Sequence, residues 1–391
     1  MKIKTLCAVG LTMAASLASA QTVTRCGGLA TALYINWPTL QSDNCRTGYN
    51  PYETRLNTGN LRHLALAWQS TTGKLYGSPV LANNVLYVGS DDHKLYAFNA
   101  VTGTLKWSYA TGSSIVGTPA VANGVVYIGS YDKNLYALNA NTGTLLWKYT
   151  TLGHVTVAPA VANGTVYIGS DDNNMFVQGY MYALSASTGA LLWQVSTMPN
   201  PSAPTVVNNI VYFVTPGTIH AIKATDGSFL WQYFNGHSID APTVVNGVLY
   251  SAGAYVYAID ALTGTLLWAR QDLPVYAVSC AVANGVLYVG GRNESYLPSV
   301  YAFDTKDGAL LWHSYDDYEN TYDLAVANGV LYFASSSPNF DAFVTAVDAS
   351  NGNRIWQEHG NGGLLVANGF LYMILDDYQN QAYIKAYHLP N

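Results

Sequence analysis

Short runs of β-branched and aromatic residues, separated by turn residues, recur along most of the chain. One copy of the unit, Gly117–Trp147, reads GTPAVANGVVYIGSYDKNLYALNANTGTLLW. Asn123-Gly124 favours a tight hairpin because both central residues of a type I′ turn need positive φ. Four runs in the unit have the residue types and boundaries of strands: Thr118–Ala122, Val125–Gly129, Leu135–Asn139 and Thr144–Trp147. The unit therefore predicts a four-stranded antiparallel meander, with strands called A to D.

The turns of this unit recur to the end of the chain. The A–B turn is found at Asn83-Asn84, Asn123-Gly124, Asn163-Gly164, Asn208-Asn209, Asn246-Gly247, Asn284-Gly285, Asn328-Gly329 and Asn368-Gly369. A glycine four residues before a tryptophan marks the C–D turn seven times, from Gly103/Trp107 to Gly352/Trp356. Successive tryptophans lie 37 to 46 residues apart, a period that, with short strands, is typical of propeller blades.

The chain has eight A–B turns but seven C–D turns because the last unit is incomplete. Leu364–His388 contains strands A, B and C, whereas the D-like run Leu64–Trp68 precedes the first unit. Pairing this run with Ile384–His388 would remove the open sheet edges and join the chain ends. The sequence therefore predicts an all-β, eight-bladed β-propeller of four-stranded antiparallel blades, closed by an N-terminal strand that completes the last blade.

The tryptophans of the D strands are predicted to be structural. We expect them to pack between neighbouring blades as a girdle, because they occupy one shared position of the repeat. The set is Trp68, Trp107, Trp147, Trp193, Trp231, Trp268, Trp312 and Trp356.

The N-terminal part of the chain carries no repeat. Residues 1–20 have Lys2 and Lys4, an apolar stretch and a small-x-small end, which predict a secretory signal peptide. Residues 21–62 are turn-rich and are predicted to form a strap across the outside of the last blade, before the propeller at 63–391. Cys26 and Cys45 both lie in this strap, and in an oxidising compartment they are predicted to form a disulfide. We therefore expect an exported protein, periplasmic or extracellular.

Composition narrows the range of partners. Charged residues make up 10% of the chain and the net charge is −6, with no basic cluster, so nucleic acid and anionic membrane surfaces are poor partners. Outside the signal region no apolar stretch is long enough for a transmembrane helix. The continuous repeat predicts one large domain, which we expect to be a monomer.

The repeat P-x-V-x-N-G-x-[LV]-Y-[VI]-G-S…L-Y-A-[LF]-x-A-x-T-G-x-L-x-W resembles that of the PQQ-like (pyrroloquinoline-quinone-type) β-propellers. This group includes the quinoprotein alcohol dehydrogenases and the outer-membrane assembly factor BamB. The dehydrogenase resemblance implies a Cys-Cys pair over the quinone and long insertions around it, neither of which this chain has. We therefore assign no catalytic, cofactor-binding or metal-binding residue.

Differences between the repeats indicate where binding occurs, since shared positions serve the common fold. The A–B and C–D turns share one face of the disc and are nearly uniform. The B–C connections lie on the other face and vary, with extensions at Asp171–Tyr180, Arg292–Pro298, Ser335–Ala342 and Asp376–Gln381. Residues opening the A strands are predicted to line the channel mouth on this second face. The candidates are Tyr76, His154, His237, Asp240, Tyr276, Tyr322 and Asp323, with Ile115 and Ser202 at the same level.

These polar residues are more typical of a water-filled channel without a ligand, and the alternative is a funnel for a small ligand or peptide. The His and Asp residues among them are spread over separate blades, so a metal site is not predicted. Asp-Asp pairs, such as Asp91-Asp92, fall mostly in B–C turns, where Asx-turns explain them better than Ca²⁺ binding.

The function predicted from the sequence is therefore that of an exported, non-catalytic scaffold. It would bind a protein, peptide or glycan of the cell envelope through its B–C loops, in an assembly role and without a cofactor. The alternative is a PQQ-dependent quinoprotein oxidoreductase, which would need PQQ with Ca²⁺.

Overall fold

The computed structural model describes residues 43, 45–171, 178–234, 236, 241–271, 276–292, 298–315, 320–336, 342–360, 362–376 and 381–390. These residues form eight antiparallel sheets arranged as successive blades, each with strand order A-B-C-D. The predicted fold class is therefore confirmed. The predicted signal peptide, Cys26 and most of the predicted strap lie outside the described residues. Within the described part, no helix is long and apolar enough to cross a membrane.

Blades 1 to 4 have the following strands, in the order A to D. Blade 1 consists of Val80–Ala82, Val85–Gly89, Lys94–Asn99 and Leu105–Ala110. Blade 2 consists of Ala120–Ala122, Val125–Gly129, Asn134–Asn139 and Leu145–Thr150. Blade 3 consists of Ala160–Ala162, Thr165–Ser170, Gly179–Ser185 and Leu191–Thr197. Blade 4 consists of Thr205–Val207, Ile210–Thr215, Thr218–Lys223 and Phe229–Phe234.

Blades 5 to 8 continue the ring. Blade 5 consists of Thr243–Val245, Val248–Ala252, Val256–Asp260 and Leu266–Arg270. Blade 6 consists of Tyr276–Ala283, Val286–Arg292, Pro298–Asp304 and Leu310–Tyr315. Blade 7 consists of Asn320–Ala327, Val330–Ser336, Ala342–Asp348 and Arg354–His359. Blade 8 consists of Leu364–Ala367, Phe370–Asp376, Gln381–His388 and the N-terminal strand Ala65–Gly73.

Ring closure follows the predicted route. Strand Ala65–Gly73 pairs antiparallel with Gln381–His388, and Trp68 lies opposite Ala386. The register shifts beside Trp68, as it does beside the other D-strand tryptophans. The first and last segments of the repeat region therefore share one sheet, which protects the edge of the last blade.

Each D-strand tryptophan links its blade to the next one. In blade 1 the indole of Trp107 donates a hydrogen bond of 3.0 Å to the carbonyl of Ala140 in blade 2. Tyr87 of blade 1 packs against this indole and donates to the same carbonyl. The same indole bond joins Trp68 to Ala100, Trp147 to Ala186, Trp193 to Ala224, Trp231 to Ala261, Trp268 to Thr305 and Trp312 to Ala349. Blade 8 is thus joined to blade 1 by the same bond that joins blades 1 to 7 in succession, and Trp356 of blade 7 contacts the Tyr387 ring of blade 8.

The C–D glycine of the following blade completes this contact. Gly143 has a φ of +72°, and a Cβ placed on it would lie 2.6 Å from the ring of Trp107. Glycine is needed here for its backbone conformation and for the close approach of the ring. The tryptophans are nevertheless less buried than expected. Trp193 and Trp231 are 8% exposed, whereas Trp68, Trp107 and Trp147 are only half-buried, because strand D is the outermost strand of each blade.

The segment before the propeller does not run over the outside of the last blade. Residues Cys45–Asn50, called the channel segment, follow the A strands, which are the innermost strands of the blades. Its carbonyls accept hydrogen bonds from Val244, Val282 and Val326, in blades 5, 6 and 7. Tyr49–Asn50 pairs in parallel with strand A of blade 7 and makes that sheet five-stranded.

The chain then leaves the channel on the face of the A–B turns. The Glu53 carboxylate accepts a bond from the backbone of Gly369, and the side chain of Asn328 donates to the carbonyl of Leu56. Leu56 and Leu61 are fully buried against blades 7, 8 and 1, and a short 3-10 helix at Leu61–His63 leads into the closing strand. The predicted external strap is therefore wrong for this part of the chain. Polar groups of this part of the chain bond to the channel-facing A strands, and the repeat pattern alone does not predict these bonds.

Candidate functional site

Arg46 is a buried cation in the central channel. Its side chain is 2% exposed. The guanidinium donates through Nε and Nη2 to the carbonyl of Pro204, both at 3.1 Å, and through Nη2 to the carbonyl of Ala158 at 3.5 Å. The Arg46 carbonyl accepts a bond from the Thr243 hydroxyl. One residue therefore contacts blades 3, 4 and 5, and together with the channel segment it fills the channel toward the A–B turns.

Small residues line the next level of the channel, toward the B–C turns. They occupy the position that precedes the strand-A proline in most repeats, and they include Ser78, Thr118, Ala158, Ala203 and Ala241. The three alanines pack together as one apolar cluster. The Thr118 hydroxyl accepts a bond from the Ser78 backbone of the neighbouring blade. The channel is therefore narrow at this level.

Asp323 occupies the same repeat position in blade 7. Its carboxylate accepts a 2.6 Å bond from the hydroxyl of Ser78 in blade 1. Gly363 of blade 8 lies between them, and a Cβ on it would be 2.3 Å from Ser78 Cα. Burial raises the pKa of Asp323, and the Ser78 bond opposes this shift only in part. Asp323 therefore links blade 7 to blade 1 across blade 8.

A cleft opens on the B–C face between blades 1 and 2. It has a volume of about 440 Å³ and is called the rim cleft. It is lined by Tyr76, Asp91, Ser113, Ser114, Val116 and Tyr131. The B–C turns of blades 1 and 2 supply Asp91 and Tyr131, and the D–A connections supply the other four residues.

The D–A connections beside the cleft tie successive B–C turns together. The hydroxyl of Ser114 donates to the Asp91 carbonyl at 3.3 Å, and the carbonyl of Ser114 accepts from the Tyr131 backbone at 3.0 Å. His154 repeats this arrangement one blade further on. Its Nδ1 lies 2.5 Å from the Tyr131 carbonyl, and its backbone pairs with Asp171. The predicted mouth residue His154 therefore braces Tyr131.

The other predicted mouth residues lie in different environments. Ser202 is buried, and its hydroxyl accepts a bond from the Val214 backbone. Tyr76 lines the rim cleft, and Asp323 lies in the channel. Ile115 is fully buried between blades 1 and 2 and is not a mouth residue. His237 and Asp240 lie outside the described residues. Tyr276 and Tyr322 lie in strands A of blades 6 and 7, but their side chains are outside the described part.

Asp92 and Asp132, one carboxylate in each of the first two B–C turns, have local hydrogen-bond partners. Asp92 accepts from the backbone of Lys94 and the hydroxyl of Tyr96, which is the predicted Asx-turn. Asp132 makes the equivalent bonds with Asn134 and Tyr136. Burial raises the pKa of Asp132, but these bonds outweigh it and hold the pKa below its ordinary value. Among the described residues, no group of three or more His, Cys, Asp or Glu side chains is placed to hold a metal.

The described channel does not fit PQQ with Ca²⁺, which the dehydrogenase resemblance implies. The alanine cluster and the channel segment occupy the axis, where a flat tricyclic quinone would need open space. The one described carboxylate at this level, Asp323, bonds to Ser78, whereas Ca²⁺ needs six to eight converging oxygens.

Several of these residues are not evident from the sequence. Arg46 lies in a non-repetitive segment without a recognisable motif. The residues Asp91, Ser113, Ser114 and Tyr131 appear in the sequence as ordinary turn residues. Aligning the repeats would have found part of the cleft, because Asp91 and Tyr131 occupy one repeat position, as do Tyr76 and Val116.

Comparisons with known proteins agree with this architecture. The family model described as "Outer membrane protein assembly factor BamB" matches residues 62–197 and 177–385. The quinohemoprotein alcohol dehydrogenase of Comamonas testosteroni is 31% identical over 78 residues, which span 19% of this chain and 11% of that protein. The crystal structure of that enzyme superposes with a TM-score of 0.78 at 16% identity, covering 91% of this chain and 80% of the other.

The crystal structure of BamB from Moraxella catarrhalis superposes with a TM-score of 0.66 at 17% identity, covering 83% of this chain and 99% of that one. At these identities the two superpositions show the shared propeller fold alone. The family match, in contrast, extends over most of the chain. The chain therefore belongs to the PQQ-like propeller family described as outer membrane protein assembly factor BamB.

Proposed function

We propose that this protein is an exported, non-catalytic scaffold that binds a protein, peptide or glycan of the cell envelope through its B–C face. The observation that carries the proposal is the asymmetry of the two faces. The channel segment fills the channel toward the A–B turns, while the rim cleft opens on the B–C face. Membership of the family described as an outer membrane protein assembly factor supports an envelope role.

The B–C face also has the features of a binding surface on a rigid frame. The hydrogen bonds between D–A connections and B–C turns fix the cleft walls, so little ordering entropy is lost on binding. Loops that differ between repeats are placed on this frame, as in other scaffolds that bind through loops.

Capture from a native cell-envelope extract tests the proposal. The bait would be the wild-type protein and a variant in which residues 172–177 and 293–297, in two of the extended B–C connections, are replaced by short glycine-containing turns. We expect the variant to keep the wild-type melting temperature and to lose the captured partner. A matched control would carry Tyr52→Ala, an exposed residue near the A–B face. Equal capture by the loop variant would refute binding through the B–C face.

The alternative function is that of a PQQ-dependent oxidoreductase. The local 31% identity to a quinohemoprotein alcohol dehydrogenase favours it, and the filled channel opposes it. Mixing the purified protein with PQQ and Ca²⁺ should leave the quinone spectrum unchanged and give no dye-linked alcohol oxidation. Tight quinone binding with turnover would reverse the ranking.

A further inference from the structure

We propose that the rim cleft is a binding site for a neutral sugar, about two hexose rings long. This inference rests on the proposed binding role of the B–C face and names the chemical class of its ligand. A cleft of about 440 Å³ lies in the size range of small-molecule sites.

Two tyrosines supply flat surfaces at the cleft. Tyr76 is 54% exposed, whereas Tyr87 and Tyr127 of the strands B are almost fully buried. Tyr76 is therefore not a core residue. Its ring lies 5.1 Å from Lys74 Nζ. The Tyr131 ring packs 5.1 Å from the ring of His154, which holds it in place. Aromatic rings with a polar end suit the apolar C–H faces of sugars and their hydroxyl rims.

The polar groups of the cleft complement sugar hydroxyls. Among the described residues, no side chain or backbone group donates a hydrogen bond to the carboxylate of Asp91. The neighbouring Asp92, in contrast, is bonded to Lys94 and Tyr96. An ionised carboxylate is an acceptor with two oxygens and can bind two adjacent hydroxyls. The Ser113 hydroxyl adds a donor and an acceptor on the same wall, and the Ser114 hydroxyl, which donates to the Asp91 carbonyl, adds an acceptor.

The walls of the cleft are held at a fixed distance. A Cβ on Gly77 would lie 2.8 Å from the backbone of Gly117, so the two D–A connections approach as closely as glycine allows. The Ser130 hydroxyl donates to the Ser113 carbonyl at 3.0 Å, which fastens the floor of the cleft to the B–C turn of blade 2. The polar groups are therefore positioned before a ligand arrives, which lowers the entropic cost of binding.

The next junction of the ring shows that this chemistry is local. Val116 and Thr156 occupy the repeat position of Tyr76 in the connections entering blades 2 and 3. Among these three connections, the one that enters blade 1 is thus the one with an aromatic ring at this position. Ser90 and Ser130, which share one repeat position, instead make equivalent bonds in blades 1 and 2, donating to the carbonyls of Lys74 and Ser114.

The lining favours a sugar over the other ligand classes. A peptide site would offer apolar side-chain pockets or a free strand edge, but Val116 is the single aliphatic residue of the lining. Asp91 lines the cleft and Lys74 Nζ lies 5.1 Å from the Tyr76 ring, so the two opposite charges leave no net charge that would select a uronic acid or a sugar phosphate. A neutral disaccharide fits both the volume and the polarity of the cleft.

Saturation-transfer NMR with cellobiose, maltose and chitobiose tests the proposal, followed by titration calorimetry of any disaccharide that binds. We expect at least one of them to bind, and Tyr76→Ala and Asp91→Asn each to weaken it about tenfold at an unchanged melting temperature. The matched controls Tyr52→Ala and Asp226→Asn, which change exposed residues away from the cleft, should bind as the wild type does.

Three results would overturn the sugar site. The first is the absence of saturation transfer from all of the disaccharides at tens of millimolar. The second is unchanged sugar binding by the cleft variants. The third is binding of a tyrosine- or proline-rich peptide in place of the sugars. The envelope capture experiment, repeated with Tyr76→Ala, separates the two proposals. Retained capture without sugar binding would remove the sugar site and leave the scaffold role standing.

Discussion

Replacing Arg46 tests whether the channel segment holds the blades together. The variant Arg46→Ala removes a guanidinium that is 2% exposed and that bonds the carbonyls of Pro204 and Ala158. Arg46→Met removes the same donors and keeps most of the aliphatic stem. Any difference between the two variants therefore measures the packing of the stem.

The expected loss of stability follows from these contacts. Hydrogen bonds from a charged donor contribute about 1.5–3 kcal/mol net, and the two 3.1 Å bonds share one carbonyl. Loss of the stem adds about 1 kcal/mol. Arg46→Ala should therefore lower the free energy of unfolding by about 3 kcal/mol, and Arg46→Met by about 2 kcal/mol.

Thermal unfolding followed by circular dichroism measures the effect. A loss of about 3 kcal/mol should lower the melting temperature of a chain this long by about 3–6 °C. The matched control is Arg55→Ala, because Arg55 belongs to the same N-terminal region but is exposed and bonds to Asn368 through one long contact of 3.4 Å. It should cost about 0.5 kcal/mol or less. If Arg46→Ala and Arg55→Ala have the same melting temperature, the channel segment is not a structural element.

Three further predictions concern the ring and the channel. Gly143→Ala should destabilise the protein by about 1–2 kcal/mol more than Gly124→Ala in urea unfolding. Both glycines have a φ above +70°, but of the two only Gly143 faces the Trp107 ring. Equal losses of stability would contradict this prediction. Trp68→Ala and Trp107→Ala should each cost about 2–4 kcal/mol, within about 1 kcal/mol of each other, since both make the same bond to the next blade; a much smaller loss for Trp68 would contradict the closure. Asp323 has a raised pKa, so the folded state holds more protons than the unfolded state above the ordinary value of 3.8, and its contribution to stability falls as pH rises. Asp323→Asn should therefore gain stability relative to the wild type from pH about 4 toward neutral pH in thermal melts, and a constant difference would refute the assignment.

The blades could be predicted from the sequence because each repeat carries the same turn and strand signals. The Asn-Gly turns, the spacing of glycine and tryptophan, and the unpaired run before Trp68 specify the meander, the blade count and the closure. Each of these signals is local, since it depends on backbone conformation or on one contact between adjacent blades.

The channel could not be predicted in this way. Residues Cys45–Asn50 have no partner motif, and their bonds to the A strands involve backbone groups that any sequence provides. The D–A connections are irregular, so the direction of their side chains cannot be counted from a strand period. Ile115 is predicted at the mouth but lies in the core, one position before Val116, which lines the rim cleft. Tyr131 is not among the predicted residues.

Site-specific photocrosslinking tests the central claim, namely that the B–C face is the binding face, most directly. A photoreactive phenylalanine analogue would replace Tyr76 at the rim cleft or Tyr52 near the opposite face, both of which are exposed tyrosines. After irradiation of intact cells of the native host, a crosslinked product should form from position 76 and not from position 52. Crosslinks from position 52 alone would contradict the account.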